Sequence, residues 1–231
     1  MESKGDENEA PQTGNEAKRP VVCVFCGSSS GKSADHLAAA RDLAKSLAKH
    51  NAKLVYGGGT AGVMGELAKA MVSLSGPDAV HGVLPEALLK YERKNGSKAD
   101  PEKLIDPNIY GRTTIVKDMH TRKQMMAQEV LDGGASSGFV ALSGGYGTLE
   151  EIVEMVTWNQ LGIHARPIVV HNVDGCWDGL LQWVRKAVDS GFISESNSTI
   201  MVEGKTGEEV VECLRHYEVS KGRFTLKWNE K

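Results

Sequence analysis

Residues 139–161 read FVALSGGYGTLEEIVEMVTWNQL, and this stretch decides the fold. An apolar run of strand character, Phe139 to Leu142, breaks at a Gly/Ser cluster, and a helical pattern takes over from Thr148 to Leu161. The same order recurs upstream. Val21 to Phe25 is a continuous β-rich run, as expected of a strand covered on both faces; it breaks at Gly27-Ser28-Ser29-Ser30 before a helix from about Ala34 to Lys49. Lys53 to Tyr56 ends in Gly57-Gly58-Gly59 and leads into a helix from Val63 to Leu74. Further strands are expected at Val80–Leu84, Thr113–Val116, Ile168–Val170 and, weakly, Thr199–Val202. Asp118 is the expected N-cap of a helix from Met119 to about Leu131, and two more helices are expected over Trp177–Ser190 and Glu208–Tyr217. Strands alternating with helices at this spacing predict an α/β fold with a doubly wound, mostly parallel sheet and helices on both faces.

Working outward, residues 1–19 are polar and rich in acids and predict a disordered tail; residues 20–217 predict one domain, and 218–231 a loose basic tail. The polar stretch from Pro85 to Arg112 interrupts the alternation. In all, 231 residues carry a net charge of −3, so nothing draws the chain generally to nucleic acid or an anionic membrane. The longest apolar run, Val21 to Cys26, is far short of the ~20 residues of a membrane helix, and no secretory signal is expected, since no basic region followed by an apolar one opens the sequence. A cytoplasmic setting is expected. The strand period sends Cys23 and Cys26 to opposite faces, as buried structural thiols. No metal is expected, since the seven histidines are scattered.

Glycine clusters at 27–31, 57–62 and 143–147 all fall at strand ends, where parallel sheets bind ligands. They should line one crevice, which makes Ser28, Gly58, Gly59, Thr60 and Gly144 expected substrate-binding positions. Gly57 to Gly62 matches G-x-G-x-x-G, but Glu86 is a poorly placed ribose acid for a dinucleotide site. Ser143 to Thr148 exposes backbone donors at a helix N-terminus and lacks the lysine of a triphosphate loop. In the following helix Leu149, Ile152, Val153 and Val156 define the expected core face, with Glu151, Glu154 and Trp158 on a neighbouring stripe. Arg122 and Lys123 stand in the first turn of a helix, where the dipole disfavours cations. Two readings stay open for them: solvated surface charges, or partners of an anionic ligand. If Arg122 only faces the crevice, Arg122→Met should shift the melting temperature by no more than a few degrees.

The motif SGGYGTLEE, with MHTRK at 119–123, resembles the PGGxGTxxE and MHxRK signatures of the LONELY GUY family of cytokinin-activating phosphoribohydrolases. VFCGSS, VYGGGTAGVMG and TWNQLGIH are similar to it as well, so that the likeness spans residues 21–192. The resemblance implies a Rossmann-like homodimer that hydrolyses the N-glycosidic bond of N6-substituted AMP, a small nucleoside monophosphate, without a cofactor. Arg122 and Glu151 match the family's catalytic pair. Lys123, Gly145, Tyr146, Gly147, Thr148 and Thr157 match positions that hold the nucleotide. Ser143 replaces the motif proline, and the segments 133–138 and 85–112 look expanded. Related Rossmann-like proteins carry molybdenum cofactor without turnover, which makes a carrier the alternative function; a dinucleotide-dependent oxidoreductase is the weaker third.

Overall fold

In the computed structural model the described residues are 18–92, 105–226 and 228. Seven strands form one sheet in which every pairing is parallel. They are β1 (Val21–Phe25), β2 (Lys53–Tyr56), β3 (Val80–Pro85), β4 (Arg112–Val116), β5 (Gly138–Ala141), β6 (Ile168–His171) and β7 (Met201–Gly204), in the order β4-β3-β2-β1-β5-β6-β7. The helices are α1 (Asp35–Lys49), α2 (Gly62–Ser75), the short α3 (Leu89–Glu92) and α4 (Pro107–Tyr110), α5 (Met119–Asp132), α6 (Tyr146–Gln160), α7 (Asp178–Asp189) and α8 (Gly207–Arg215).

The strands read as unbroken apolar runs because both faces are covered. Val22, Val24 and Cys26 pack with Leu43, Leu67, Met71 and Leu214 of α1, α2 and α8. Cys23 and Phe25 pack with Met126, Ile152 and Met155 of α5 and α6 on the other side. The two cysteines do point to opposite faces, and both are buried, free thiols. Among the described residues no helix is long and apolar enough to cross a membrane.

Chain order reverses between β1 and β5, and there the strand ends are stitched together. Leu142 N donates to Phe25 O and Gly27 N to Ser143 O, each at 3.0 Å. The start of α2 is tied to the same place, with Met64 N donating to Gly27 O at 3.1 Å. Gly62 is obligatory here: its φ is +61°, and a side chain would run into the backbone of Ser28. The three glycine clusters therefore meet at one switch point.

Two expectations need correction. The buried face of α6 is Thr148, Glu151, Ile152, Met155 and Asn159, whereas Leu149 and Val153 are exposed and Val156 is half-buried. Glu151 therefore belongs to the core face, and the stripe beside it is Glu150 and Glu154. The described part of the basic stretch after α8, residues 218–226, expected to hang loose, lies back on the end of α6: Ser220 is buried, Arg223 donates to Asn159 O and His164 O, and Phe224 N to Gln160 O. The expanded segment 133–138 sits where expected: residues 133–137 form a turn at the end of α5 and Gly138 opens β5, and the carbonyls of Leu131, Gly133 and Gly134 accept from the guanidinium of Arg166. Most of the 1–19 tail and residues 93–104 of the polar stretch lie outside the described residues.

Asp118 caps α5 as expected, its carboxylate accepting from Thr121 N at 2.7 Å. That bond fixes the entry of the helix that carries Arg122. Asp118→Ala should lower stability by about 1 kcal/mol, a drop of about 2–4 °C in melting temperature for a chain of this length. A thermal melt showing no drop would mean the cap carries no weight.

Candidate active site

Starting one turn into α5, Arg122 is not a solvated charge. It is 7% exposed, lies over the end of β3 and donates from Nε to Val83 O at 3.1 Å. Its Nη1 donates to Glu151 Oε1 in a buried ion pair. Space for the guanidinium comes from Gly57, where any Cβ would overlap Arg122 Nη2. Glu151, 5% exposed, reaches the pair from the buried face of α6. Burial pushes its carboxyl above the ordinary glutamate range, and the Arg122 guanidinium opposes that shift without cancelling it. Cys23 and Cys26 are buried, and burial together with Glu151 pushes both thiols far up, away from the thiolate form.

The loop from Ser143 to Gly147 forms one edge of the crevice. Its end, Gly145, caps α6 without any side-chain hydrogen bond, and Gly144, Gly145, Tyr146 and Gly147 are exposed. Thr148 is buried against Gly144. The structure thus assembles Arg122, Glu151, Thr148 and Gly144 beside the 57–59 loop. The remaining expected positions are distributed more widely. Ser28 is exposed above Gly62, Gly58 packs on Val83 and Leu84, and Gly59 lies against Met64. Thr60 N and Oγ1 both donate to Glu92, a residue that carried no signal in the sequence.

Lys123 bridges Glu150 and, at 3.1 Å, Glu154. Partial burial works against its charge, yet the two carboxylates outweigh it and hold the ammonium above its ordinary pKa. Thr157 lies on the exposed side of α6 and donates to Val153 O at 2.9 Å, away from the ion pair. It lines an open groove of about 700 Å³ with Tyr146, Leu149, Trp158, Leu180 and Trp183. A second, polar cavity of about 630 Å³ opens among Arg19, Lys53, His81 and Arg112, at the amino ends of the strands. Parallel sheets bind their ligands at the opposite, carboxyl ends. His50, Glu208 and Glu212 bring ligand atoms within 4.8 Å of one another on the surface. Lys49 and Arg215 already compensate those two carboxylates, at 2.8 and 3.0 Å.

With this geometry in place, similarity to known proteins is informative. Cytokinin riboside 5'-monophosphate phosphoribohydrolase LOG3 of Arabidopsis thaliana is 39% identical over 227 residues, covering 98% of this chain and 94% of its own. The chain belongs to the LONELY GUY family. The "Bifunctional cytokinin biosynthesis protein" of Fusarium pseudograminearum (strain CS3096) is 50% identical over 214 residues; this chain spans only 44% of that longer protein. The family described as "Possible lysine decarboxylase" matches residues 64–214. A lysine decarboxylase of the pyridoxal type needs a lysine that gives up its proton, and Lys123, clamped by two carboxylates, does not fit that role. The fold is Rossmann-like. The molybdenum cofactor carrier protein of Chlamydomonas reinhardtii shares it with a TM-score of 0.56 over 86% of this chain and 97% of that one, at 18% identity. For a LONELY GUY member, that likeness speaks to the fold alone.

Burial of Arg122 changes what its replacement should do. Arg122→Met leaves the Glu151 carboxylate buried and unpaired, which should cost about 3–5 kcal/mol rather than a few degrees of melting temperature. The double variant Arg122→Met/Glu151→Gln should recover most of that loss in urea denaturation. In Arg122→Met the Glu151 pKa rises further above its unfolded value, so the penalty is greatest at neutral pH. It should shrink as pH falls through the raised pKa. Additive single-variant losses would mean that the two side chains are energetically independent.

Proposed function

We propose that this chain is an N-glycosyl hydrolase that converts N6-substituted adenosine 5'-monophosphate to the free base, a cytokinin, and ribose 5-phosphate. The observation that carries this reading is the buried Arg122–Glu151 pair beside the uncapped amino end of α6. Breaking the bond between the anomeric carbon and N9 develops positive charge on the ribose ring, as in glycoside hydrolysis. The Glu151 carboxylate stabilises that charge and orients the attacking water. The water oxygen bonds to the anomeric carbon, the bonding pair leaves with the base, and the base takes a proton. Arg122 opposes the upward shift that burial imposes on the Glu151 carboxyl and aims it.

The 5'-phosphate is received by the backbone donors of Gly144 to Thr148 and the helix dipole. Its binding, remote from the bond that breaks, positions the ribose over Glu151. The groove on the outer side of α6, with Tyr146, Leu149, Val153 and Trp183 exposed, is the face on which a second copy docks to form a homodimer. The free thiols fit a cytoplasmic setting. A carrier of a nucleotide-like cofactor is the weaker reading: it needs the glycine loop but has no use for a desolvated carboxylate at that point.

Incubation with AMP and with isopentenyladenosine monophosphate, followed by chromatography, should show free base from at least one. The corresponding nucleosides, lacking the phosphate, should be poor substrates. Release from neither nucleotide would favour the carrier. Glu151→Gln should lower turnover at least several tens-fold. Glu150→Gln should be almost silent, because Glu150 is half-exposed and, among the described residues, pairs with Lys123 alone. The acid limb of kcat/KM should lie above the ordinary glutamate range, with activity falling as Glu151 takes up its proton.

A further inference from the structure

The histidines are scattered in sequence, yet the fold sets one of them against two glutamates. His50 closes the carboxyl end of α1, and Glu208 and Glu212 stand one turn apart on α8. One donor atom from each of the three lies within 4.8 Å of the other two. His50 Nε2 and Glu208 Oε1 are 3.4 Å apart. A tetrahedral zinc ion with nitrogen and oxygen ligands at their usual bond lengths separates its donor atoms by about 3.3–3.5 Å. The imidazole and the first carboxylate already stand at that spacing, and a turn of the part-exposed Glu212 side chain closes the rest.

The elements beneath are fixed. Leu43 and Leu47 of α1 pack with Val210, Val211 and Leu214 of α8 in one core cluster, and Asp42 accepts from Gly207 N at 2.7 Å. All three donors thus stand on packed helices or their ends rather than on free loops. His216 Nε2 lies 3.0 Å from Glu212 Oε2 and is an outer partner that aims this carboxylate. Lys49 and Arg215 hold the same two carboxylates, but through exposed surface pairs that contribute little, so a divalent ion displaces them at small cost. The cluster is separate from the crevice: His50 shares a pocket with Pro20, Val22 and Ala52, at the amino ends of β1 and β2.

We propose that His50, Glu208 and Glu212 bind one first-row divalent transition-metal ion of the zinc type, which clips the end of α1 to α8. Water completes the coordination. An imidazole in the set favours such an ion over Mg2+ and Ca2+, which prefer oxygen alone. The site is structural and takes no part in bond cleavage.

The full chain, free of any histidine tag, is titrated with Zn2+ by calorimetry and with Co2+ by absorption. One Zn2+ should bind per chain, and Mg2+ should give no binding heat. Co2+ should give visible d–d bands without the near-ultraviolet band of a thiolate ligand, since the thiols of Cys176 and Cys213 lie outside the set. His50→Ala and Glu212→Gln should each weaken Zn2+ binding at least about tenfold. Either serves if the other fails to fold. Lys49→Met, which removes a competing ammonium, should tighten binding severalfold. Zn2+ at a hundredfold excess over Kd should raise the melting temperature of the parent by about 5 °C or more and leave that of His50→Ala unmoved. None of these readouts involves turnover, so they stand whatever becomes of the hydrolase reading. No Zn2+ binding, binding that survives both His50→Ala and Glu212→Gln, a thiolate band with Co2+, or Mg2+ held as well as Zn2+ would each overturn the proposal.

Discussion

A carboxylate and a guanidinium buried against each other, Glu151 and Arg122, are the constraint on which the rest of the crevice depends. Removing two charges from water costs several kcal/mol per ion, and a well-packed apolar pair would hold α5 to α6 at least as well. The neighbourhood is arranged to offset that cost. Val83 O takes the guanidinium Nε, Gly57 clears space for Nη2, and the α5 N-cap sets the angle at which Arg122 leaves its helix. So much local accommodation of two buried charges is what the proposed hydrolase reading rests on. The raised carboxyl of Glu151 follows from the same burial.

The sheet explains why these parts converge. Its order reverses between β1 and β5, so the loops after those strands diverge to opposite faces and leave an opening between them. Hydrogen bonds from Gly27 to Ser143 and from Met64 to Gly27 close the floor of that opening. Arg122 enters over the end of β3 from one helix layer, and Glu151 from the helix after β5. The site is therefore a consequence of topology, assembled from residues up to 94 positions apart, Gly57 and Glu151 among them.

Much of the fold was legible because strands covered on both faces read as continuous apolar runs, and because the glycines fall at their ends. The N-cap at Asp118 was legible for the same local reason. The phase of α6 was not. Leu149, Val153 and Val156 look like a core stripe, yet Leu149 and Val153 face outward and Val156 only borders the core, while a glutamate and an asparagine share the inner face with Ile152 and Met155. Apolarity marks the core only when a helix has one apolar face and no buried charge. The burial of Arg122 was hidden too, since a first-turn cation reads as exposed until β3 and Gly57 are brought against it. Glu92 had no signal at all, lying 32 residues from Thr60 and in no motif.

The misread phase of α6 carries information of its own. A helix that turns Glu151 and Thr148 inward spends its inner face partly on polar atoms, and its surplus apolar residues then fall on the outside. There Leu149 and Val153 join Trp183 of α7 in a groove that water covers poorly. Tyr146, 93% exposed, belongs both to the glycine loop after β5 and to the rim of that groove. Anything seated in the groove would therefore bear directly on the loop at the start of α6, and through the helix on the carboxylate one turn further along. Polar chemistry on one face and an uncovered apolar stripe on the other are two results of a single choice of residues.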